Sequence, residues 1–409
     1  MSGEFYMKIS LIGAGPGKET LISLEGEKLI READILIGAD RILHTFGTDK
    51  LTFNIVKAED IVSRIKNTGI GKTVAVLLTG DPGFFSSARK LFKLLDGDES
   101  LKGTEIDVVP GISSMQYFLE NLHLSWENVV FTSLHGRRAN LIGFIRNNPR
   151  VFSLFGNGEE IRETAEKLHY YGLDRVKMII GERLSYPDEN ITLTFPKKFL
   201  DEGKVPDKLS AALFINENPE VPHSGSIEDD EFIRGDVPMT KEEVRTLSLS
   251  KLRLNKDSVV YDIGAGTGSV SVEAALRSPE GEVFAIEKKD AAIELIKANK
   301  RKFAADNIKI VQGTAPEALS ELPPPDRVFI GGSGGRIGEI FDTLLKKNPD
   351  VRMVLNAVSL DTLAEVNSLI KERSLKSLVT LANIARAEDT GGHSIMKSLN
   401  PVYIVTLWK

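Results

Sequence analysis

No cysteine occurs among the 409 residues, which excludes disulfides, thiolate nucleophiles and cysteine-ligated metals and suits a reducing compartment. Histidine is scarce: the six are scattered with no pair at helical ligand spacing, so no resident metal is expected. No apolar run approaches the roughly 18–20 residues that cross a bilayer. The start, "MSGEFYMKIS", lacks the apolar segment and cleavage site of a secretory signal, and the expectation is a cytoplasmic protein with no membrane partner. Met7 is a second candidate start, residues 1–6 then being an addition. Positive charge is not in excess either. Lys and Arg number 52 against 58 Asp and Glu, a net charge of −6 with pI about 5.7, which argues against nucleic acid as a partner. A local basic pocket for a carboxylate-rich small molecule stays open.

What is present is a soluble globular composition, 41% hydrophobic and 27% charged, in a chain too long for one ordinary core. Apolar, β-branched runs recur in the first half: "KISLIG", "DILIG", "TVAVLLTGD", "IDVVPG", "NVVFTS", "RVFSLFG", "VKMIIGE" and "AALFIN". Amphipathic stretches at Ser23–Glu32, Ala58–Asn67 and Gly158–Tyr171 separate several of them, which predicts α/β layers on a mainly parallel sheet. After Ile215, "NENPEVPHSGSIEDDE" is polar and acidic and reads as an exposed linker. The expected division is a first domain over 7–218, a linker over 219–230 and a second domain over 231–409.

The second half predicts helix Lys241–Leu252, strand Ser258–Ile263, helix Gly268–Arg277, strand "EVFAIE", helix Ala291–Phe303 and strand "IKIVQG". Strand "RVFIGG", helix Arg336–Lys346, strand "RMVLNA" and helix Leu360–Arg373 follow, before the β-rich stretches "LKSLVTLANIARA" and "PVYIVTLWK". That pattern fits a doubly wound sheet with one antiparallel strand.

In "YDIGAGTGSV", Gly264, Gly266 and Gly268 are spaced G-x-G-x-G, whereas a dinucleotide fingerprint places its third glycine at Ser269. Asp262 sets a carboxylate beside the loop, which repels a pyrophosphate and tolerates a cationic sulfonium. Glu287, at the end of the next strand, suits ribose hydroxyls, and Gly313, Thr314 and Ala315 leave room for an adenine against backbone. Together these resemble the class I S-adenosylmethionine-dependent methyltransferases. With "GDVPMTKEEVRTLSLSKLRL", "GTAPEAL" and "VFIGGSGG", residues 228–409 resemble the carbon-15 methyltransferase and decarboxylase family of corrin biosynthesis. The resemblance implies a Rossmann-like fold and a cofactor pocket of Thr240, Asp262, Gly264, Ala265, Gly266, Thr267, Gly268, Glu287, Gly313 and Ala315. Gly332, Ser333 and Gly334 would then face the substrate.

"GAGPG" (13–17) has the glycines of an anion cradle but Pro16 removes a donor. "LLTGDPGFFS" and "VVPGISSMQ" end two further strands, and three such loops converging on one sheet edge would form a cleft. These stretches, with "SLHGRR", resemble the class III tetrapyrrole methyltransferases, and more narrowly the carbon-5 type of the corrin pathway, over residues 7–215. The resemblance implies a cofactor against Pro16, Thr79, Gly80, Asp81, Phe84, Ser113, Ser114, Phe155 and Gly181. His135, Arg137 and Arg138 are the candidates for the substrate's acidic rim, since arginine's planar fork suits carboxylates.

The resemblance thus implies a bifunctional enzyme with one S-adenosylmethionine per domain, S-adenosylhomocysteine as product, no metal cofactor, a carboxylate-rich tetrapyrrole substrate and self-association into a homo-oligomer. The second domain would also remove the carboxyl of a ring-C acetate, for which Arg336, Arg386 and Glu388 are candidate seats; His393, alone in a polar loop, is set aside. Three rivals remain at the level of sequence: a methyltransferase of another substrate, an NAD(P)-dependent oxidoreductase, and a cofactor-binding protein with one inactive domain.

Overall fold

The computed structural model describes residues 7–47, 49–68, 71–222 and 225–409. Residues 1–6, which precede the second candidate start at Met7, fall outside the described residues, as do 223 and 224 of the expected linker. Contacts divide the chain into two units. The first comprises 7–135, 150–166 and 175–215, and the second 136–149, 167–174 and 216–409.

The first unit opens with β1 (Lys8–Gly13), α1 (Leu24–Glu32), β2 (Ile35–Gly38), α2 (Asp40–Phe46), β3 (Leu51–Asn54), α3 (Ala58–Thr68), β4 (Thr73–Leu78), α4 (Ala88–Asp96) and β5 (Glu105–Val109). All five strands pair in parallel in the order β3-β2-β4-β1-β5. Alternate residues feed two cores, one holding Ile9, Leu11, Ile35 and Val74, the other Ile12, Leu36, Ala75 and Leu77, so both faces are covered. Ser23 accepts from the Gly26 N–H, which fixes the start of α1 where the sequence placed it.

A second sheet follows, with α5 (Ser114–Asn121), β6 (Val130–Ser133), β7 (Arg150–Leu154), α7 (Gly158–Tyr170), β8 (Lys177–Glu182), β9 (Asn190–Thr194), α8 (Pro196–Glu202) and β10 (Ser210–Ile215); α6 (Leu141–Asn147), between β6 and β7 in the chain, and the last turn of α7 count with the second unit. Its order is β6-β7-β10-β8-β9, and all its pairs except β6–β7 are antiparallel. The expectation of one mainly parallel sheet is corrected here. The link from β8 to β9 is too short for a crossover and turns back as a hairpin.

The second unit contains α9 (Glu242–Leu252), β11 (Val259–Ile263), α10 (Ser269–Arg277), β12 (Glu282–Glu287), α11 (Asp290–Lys302), β13 (Ile308–Gln312), β14 (Arg327–Ile330), α12 (Ile337–Lys347), β15 (Arg352–Ala357) and α13 (Leu360–Glu372). It ends with β16 (Lys376–Ala382), β17 (Ala385–Thr390), β18 (His393–Ser398) and β19 (Val402–Trp408). The main sheet runs β13-β12-β11-β14-β15-β19-β16, with β19 antiparallel to both neighbours. This is the doubly wound sheet the sequence predicts. The first β-rich tail stretch instead splits into β16 and β17, and β17 pairs with β18 in a separate ribbon. Gly391 and Gly392 both have positive φ (60° and 85°), which builds the tight turn of that hairpin.

The stretch read as an exposed linker is buried toward its end: Ile227 and Asp229 are enclosed within the second unit. The reason is an ion cluster. Arg245, fully buried on α9, donates from Nε to Glu273 Oε1 (2.6 Å) and from Nη1 to Asp229 Oδ1 (3.2 Å) and the Thr240 carbonyl (2.7 Å). Its Nη2 donates to the Ile227 carbonyl.

Candidate functional site

Each unit carries a cavity at the carboxyl edge of its parallel strands. In the first, the loops after β1, β4 and β5 press together: a Cβ on Gly13 would lie 2.6 Å from the Gly111 nitrogen and 2.8 Å from the Gly80 carbonyl oxygen. Gly15 and Gly80 exchange backbone hydrogen bonds (3.3 and 2.8 Å), and Asp81 ties the assembly by accepting from the Gly83 and Gly111 N–H groups. Ser113 forms a capping box with Gln116 at the start of α5. The resulting cavity of about 610 Å³ is lined by Pro16, Thr79, Gly80, Asp81, Phe84, Ser113, Ser114, His135 and Phe155 of the sequence candidates.

Gly181 does not line it; that residue lies within β8, where a Cβ would meet Leu184 and Phe118. Arg137 and Arg138 are likewise outside the lining: both belong to the second unit, within which Arg138 pairs with Glu282 at 2.6 Å. Sequence reasoning missed Arg41, Arg183, Tyr186 and Lys208, all of which line the cavity. Arg41 sits in "GADRIL", directly after β2, a position that by itself did not set it apart.

The second cavity, about 760 Å³, opens where the strand order reverses between β11 and β14. Thr240, Asp262, Gly264, Ala265, Gly266, Glu287, Gly313, Ala315, Gly332, Ser333 and Gly334 all line it. Gly264 has φ of 75°, and a Cβ there would lie 2.9 Å from the Gly332 nitrogen, so the two glycine loops touch through backbone alone. Thr267 and Gly268 fall behind the lining: the Thr267 carbonyl accepts from Asn299, and Gly268 packs on Ile296.

The amides of the glycine loop point inward. Gly264 and Ala265 donate to the Ile286 carbonyl (3.0 and 3.1 Å), Gly268 to the Ala265 carbonyl (2.8 Å), and Gly266 to Glu287 Oε2 (3.0 Å). Glu287 Oε1 also accepts from the Lys288 and Lys289 N–H groups (2.8 and 3.0 Å). Few donors remain for a pyrophosphate, which disfavours a dinucleotide and fits a ligand with a cationic centre.

Asp262 is buried, with Oδ2 accepting from the Ser271 hydroxyl and Oδ1 left without a partner. Burial pushes its carboxyl up to about 7 and the Glu287 charge adds to the rise, against the opposing Ser271 hydrogen bond. The folded chain therefore keeps a proton that the unfolded chain gives up near its ordinary value of 3.8. Stability falls as pH rises between those values and levels off above the folded one. Asp262→Asn removes this dependence: from pH 6 to 8 the wild type should lose about 1.4 kcal/mol more than the variant in urea unfolding. Parallel pH profiles would contradict the assignment.

The candidate seats for decarboxylation are not brought to the cavity. Arg336 is held by Glu317 and Glu339 (2.8 and 3.0 Å) at the start of α12. Arg386 is held by Glu243 and Asp229, and Glu388 is bonded by Lys397 on the β17–β18 ribbon. The cations that do line the cavity are Lys241, Lys288 and Lys289.

Comparison with known proteins gives two matches laid end to end. The tetrapyrrole (corrin/porphyrin) methylases match residues 8–197, and a precorrin methyltransferase domain matches 231–409. A probable cobalt-precorrin-6B C(15)-methyltransferase (decarboxylating) of Pyrobaculum calidifontis is 43% identical over 185 residues, 44% of this chain and 95% of its own length. A precorrin-6Y C(5,15)-methyltransferase [decarboxylating] of a Sinorhizobium species is 28% identical over 98% of this chain and 95% of its own length. Among solved structures, that of a precorrin-6Y C5,15-methyltransferase from Geobacter metallireducens is 44% identical, covering 45% of this chain and 97% of the other with a TM-score of 0.44.

Proposed function

The chain belongs to the precorrin methyltransferases of cobalamin biosynthesis, and on that premise we propose that both cavities bind S-adenosylmethionine and act on one tetrapyrrole. The first unit methylates carbon 5; the second methylates carbon 15 and serves the loss of carbon dioxide from the ring-C acetate. The observation that carries the reading is the pair of separate cavities, each floored by touching glycine loops within one chain. Each volume lies in the range of a cofactor-sized site.

The cofactor supplies an electrophilic methyl group on a sulfonium. In the second unit, Glu287 has roughly one of four acceptor positions left after its three backbone bonds, and that position suits a ribose hydroxyl. The free Oδ1 of Asp262 suits a positive group, so that binding of a cation draws the carboxyl toward its ionised form. Gly264 and Gly332 let the backbone approach where a side chain would block it. In the first unit Phe84 and Phe155 give the wall an apolar surface that excludes water. Holding the reacting carbon in line behind the methyl group is the largest task left to the protein, one worth several kcal/mol.

The macrocycle itself accepts electrons during loss of the carboxyl group, so the second unit needs only to seat the acid. Lys241, Lys288 and Lys289 line the cavity and are the candidates for that role. Incubating the full chain with S-adenosylmethionine and precorrin-6B, with and without cobalt, tests the proposal by mass spectrometry. The product should gain two methyl groups and lose carbon dioxide; an unchanged tetrapyrrole would overturn it.

A further inference from the structure

In the lining of the first unit's cavity, Arg41 is a cation that lacks a counter-charge. Its Nη2 donates to Thr79 Oγ1 at 2.8 Å, its Nε is shut off from solvent with no acceptor, and among the described residues no carboxylate lies within ion-pairing distance. Tyr186 lines the same cavity, and its hydroxyl is also buried without a partner. The carboxylate in the lining, Asp81, is already engaged by two backbone N–H groups. Arg41 is half-buried, and the open part of its guanidinium has one neutral hydroxyl as partner, which leaves its charge to be answered by a ligand in the cavity.

The segment that presents Tyr186 is built under strain. Arg183 and Ser185 are non-glycine residues with φ of 47° and 70°. The segment is held there by the Ser185 hydroxyl, which accepts from the Lys18 N–H (3.1 Å), and by Glu189, which accepts from the Ser185 N–H (2.5 Å). Such conformations persist where the surrounding structure imposes them, and they cluster at ligand sites. Arg183 also lies over the Tyr186 ring, 5.2 Å from its centroid, but its charge is answered by Asp188 at 2.6 Å, so Arg41 is the unanswered cation of the two.

We propose that Arg41 seats one carboxylate of the substrate's acid fringe in the first unit, with Tyr186 as a further part of the wall of the same cavity. The planar fork of an arginine donates two parallel hydrogen bonds to such a group. This inference rests on the reading of that unit as a tetrapyrrole methyltransferase. It moves acid recognition from Arg137 and Arg138, where the sequence placed it, to a residue that lines the cavity.

The test uses the full chain carrying Arg41→Gln or Arg41→Lys. Methylation of precorrin-6B at carbon 5 and at carbon 15 is followed separately, alongside titration with S-adenosylhomocysteine. The KM for carbon-5 methylation should rise roughly tenfold to hundredfold in Arg41→Gln and less in Arg41→Lys, the loss of a charge-assisted contact. Affinity for S-adenosylhomocysteine and methylation at carbon 15 should stay unchanged. An equal fall in S-adenosylhomocysteine affinity would assign Arg41 to the cofactor's own carboxylate and overturn the inference, as would an unchanged KM. A wild-type chain that leaves carbon 5 unmethylated would instead refute the function of the unit.

Discussion

Replacing Arg245 with leucine should cost the second unit about 3–5 kcal/mol of stability, the range seen when one partner of a buried ion pair is removed. The guanidinium is fully enclosed and joins Glu273, Asp229, and the carbonyls of Ile227 and Thr240, with the Phe232 ring 4.8 Å from its carbon. Leucine fills some of the volume and leaves two buried carboxylates facing each other's charge. Arg277 still reaches Glu273 (2.8 Å) and Arg386 still reaches Asp229 (3.2 Å), which keeps the loss short of complete unfolding. The effect should resist added salt, because buried charges are weakly screened. The chain has two tryptophans, Trp126 in the first unit and Trp408 in the second. With Trp126→Phe as background, fluorescence in urea reports the second unit alone. An unfolding midpoint that does not move would remove the cluster from the account.

The same substitution reaches the cavity. Arg245 is bonded to the Thr240 carbonyl, and Val237, Pro238, Met239 and Thr240 line the second cavity, so freeing that segment opens one wall.

Glu287→Gln should weaken S-adenosylhomocysteine binding by about a hundredfold in the second unit and leave the first unit unaffected. A charge-assisted bond to a ribose hydroxyl contributes about 1.5–3 kcal/mol, which is roughly tenfold to hundredfold in affinity. The amide adds a second fault. Whichever carboxylate oxygen becomes the NH2 group then faces a backbone donor, either Gly266 or the Lys288 and Lys289 pair. The loop that carries Gly264 and Gly266 loses a fixed anchor as well as its ligand contact. A variant that binds as tightly as wild type would show that this carboxylate serves the loop alone.

The strands were legible because both parallel sheets are covered on each face, and such strands read as unbroken apolar runs. The order of the second unit followed from its regular alternation of strands and helices, and the glycines of 264–268 marked the strand-to-helix turn. Glu287 was found by its position at the end of the strand beside that turn. The antiparallel sheet of the first unit was not legible, since β8 and β9 resemble other apolar runs and only the length of the link between them decides their direction.

Pairings across long separations were hidden altogether. Arg386 read as a candidate seat for the ring-C acetate, yet it answers Glu243, 143 positions away. Arg336 was closer to being predictable, because Glu339 lies three residues on along the same helix start. The burial of Ile227 and Asp229 depended on Arg245, and its helix, legible over Lys241–Leu252, carries no mark in the sequence of partners as distant as Asp229 and Glu273. Arg41 stayed unnoticed for the opposite reason: what marks it is the absence of a partner, which no sequence displays.

The central claim is that two separate sites in one chain hold the same kind of cofactor. Isothermal titration of the full chain with S-adenosylhomocysteine, wild type beside Glu287→Gln, tests it most directly. The account predicts two molecules bound per wild-type chain, and one at unchanged affinity together with a greatly weakened second in the variant. A single equivalent in the wild type, or a variant in which both sites weaken together, would contradict it.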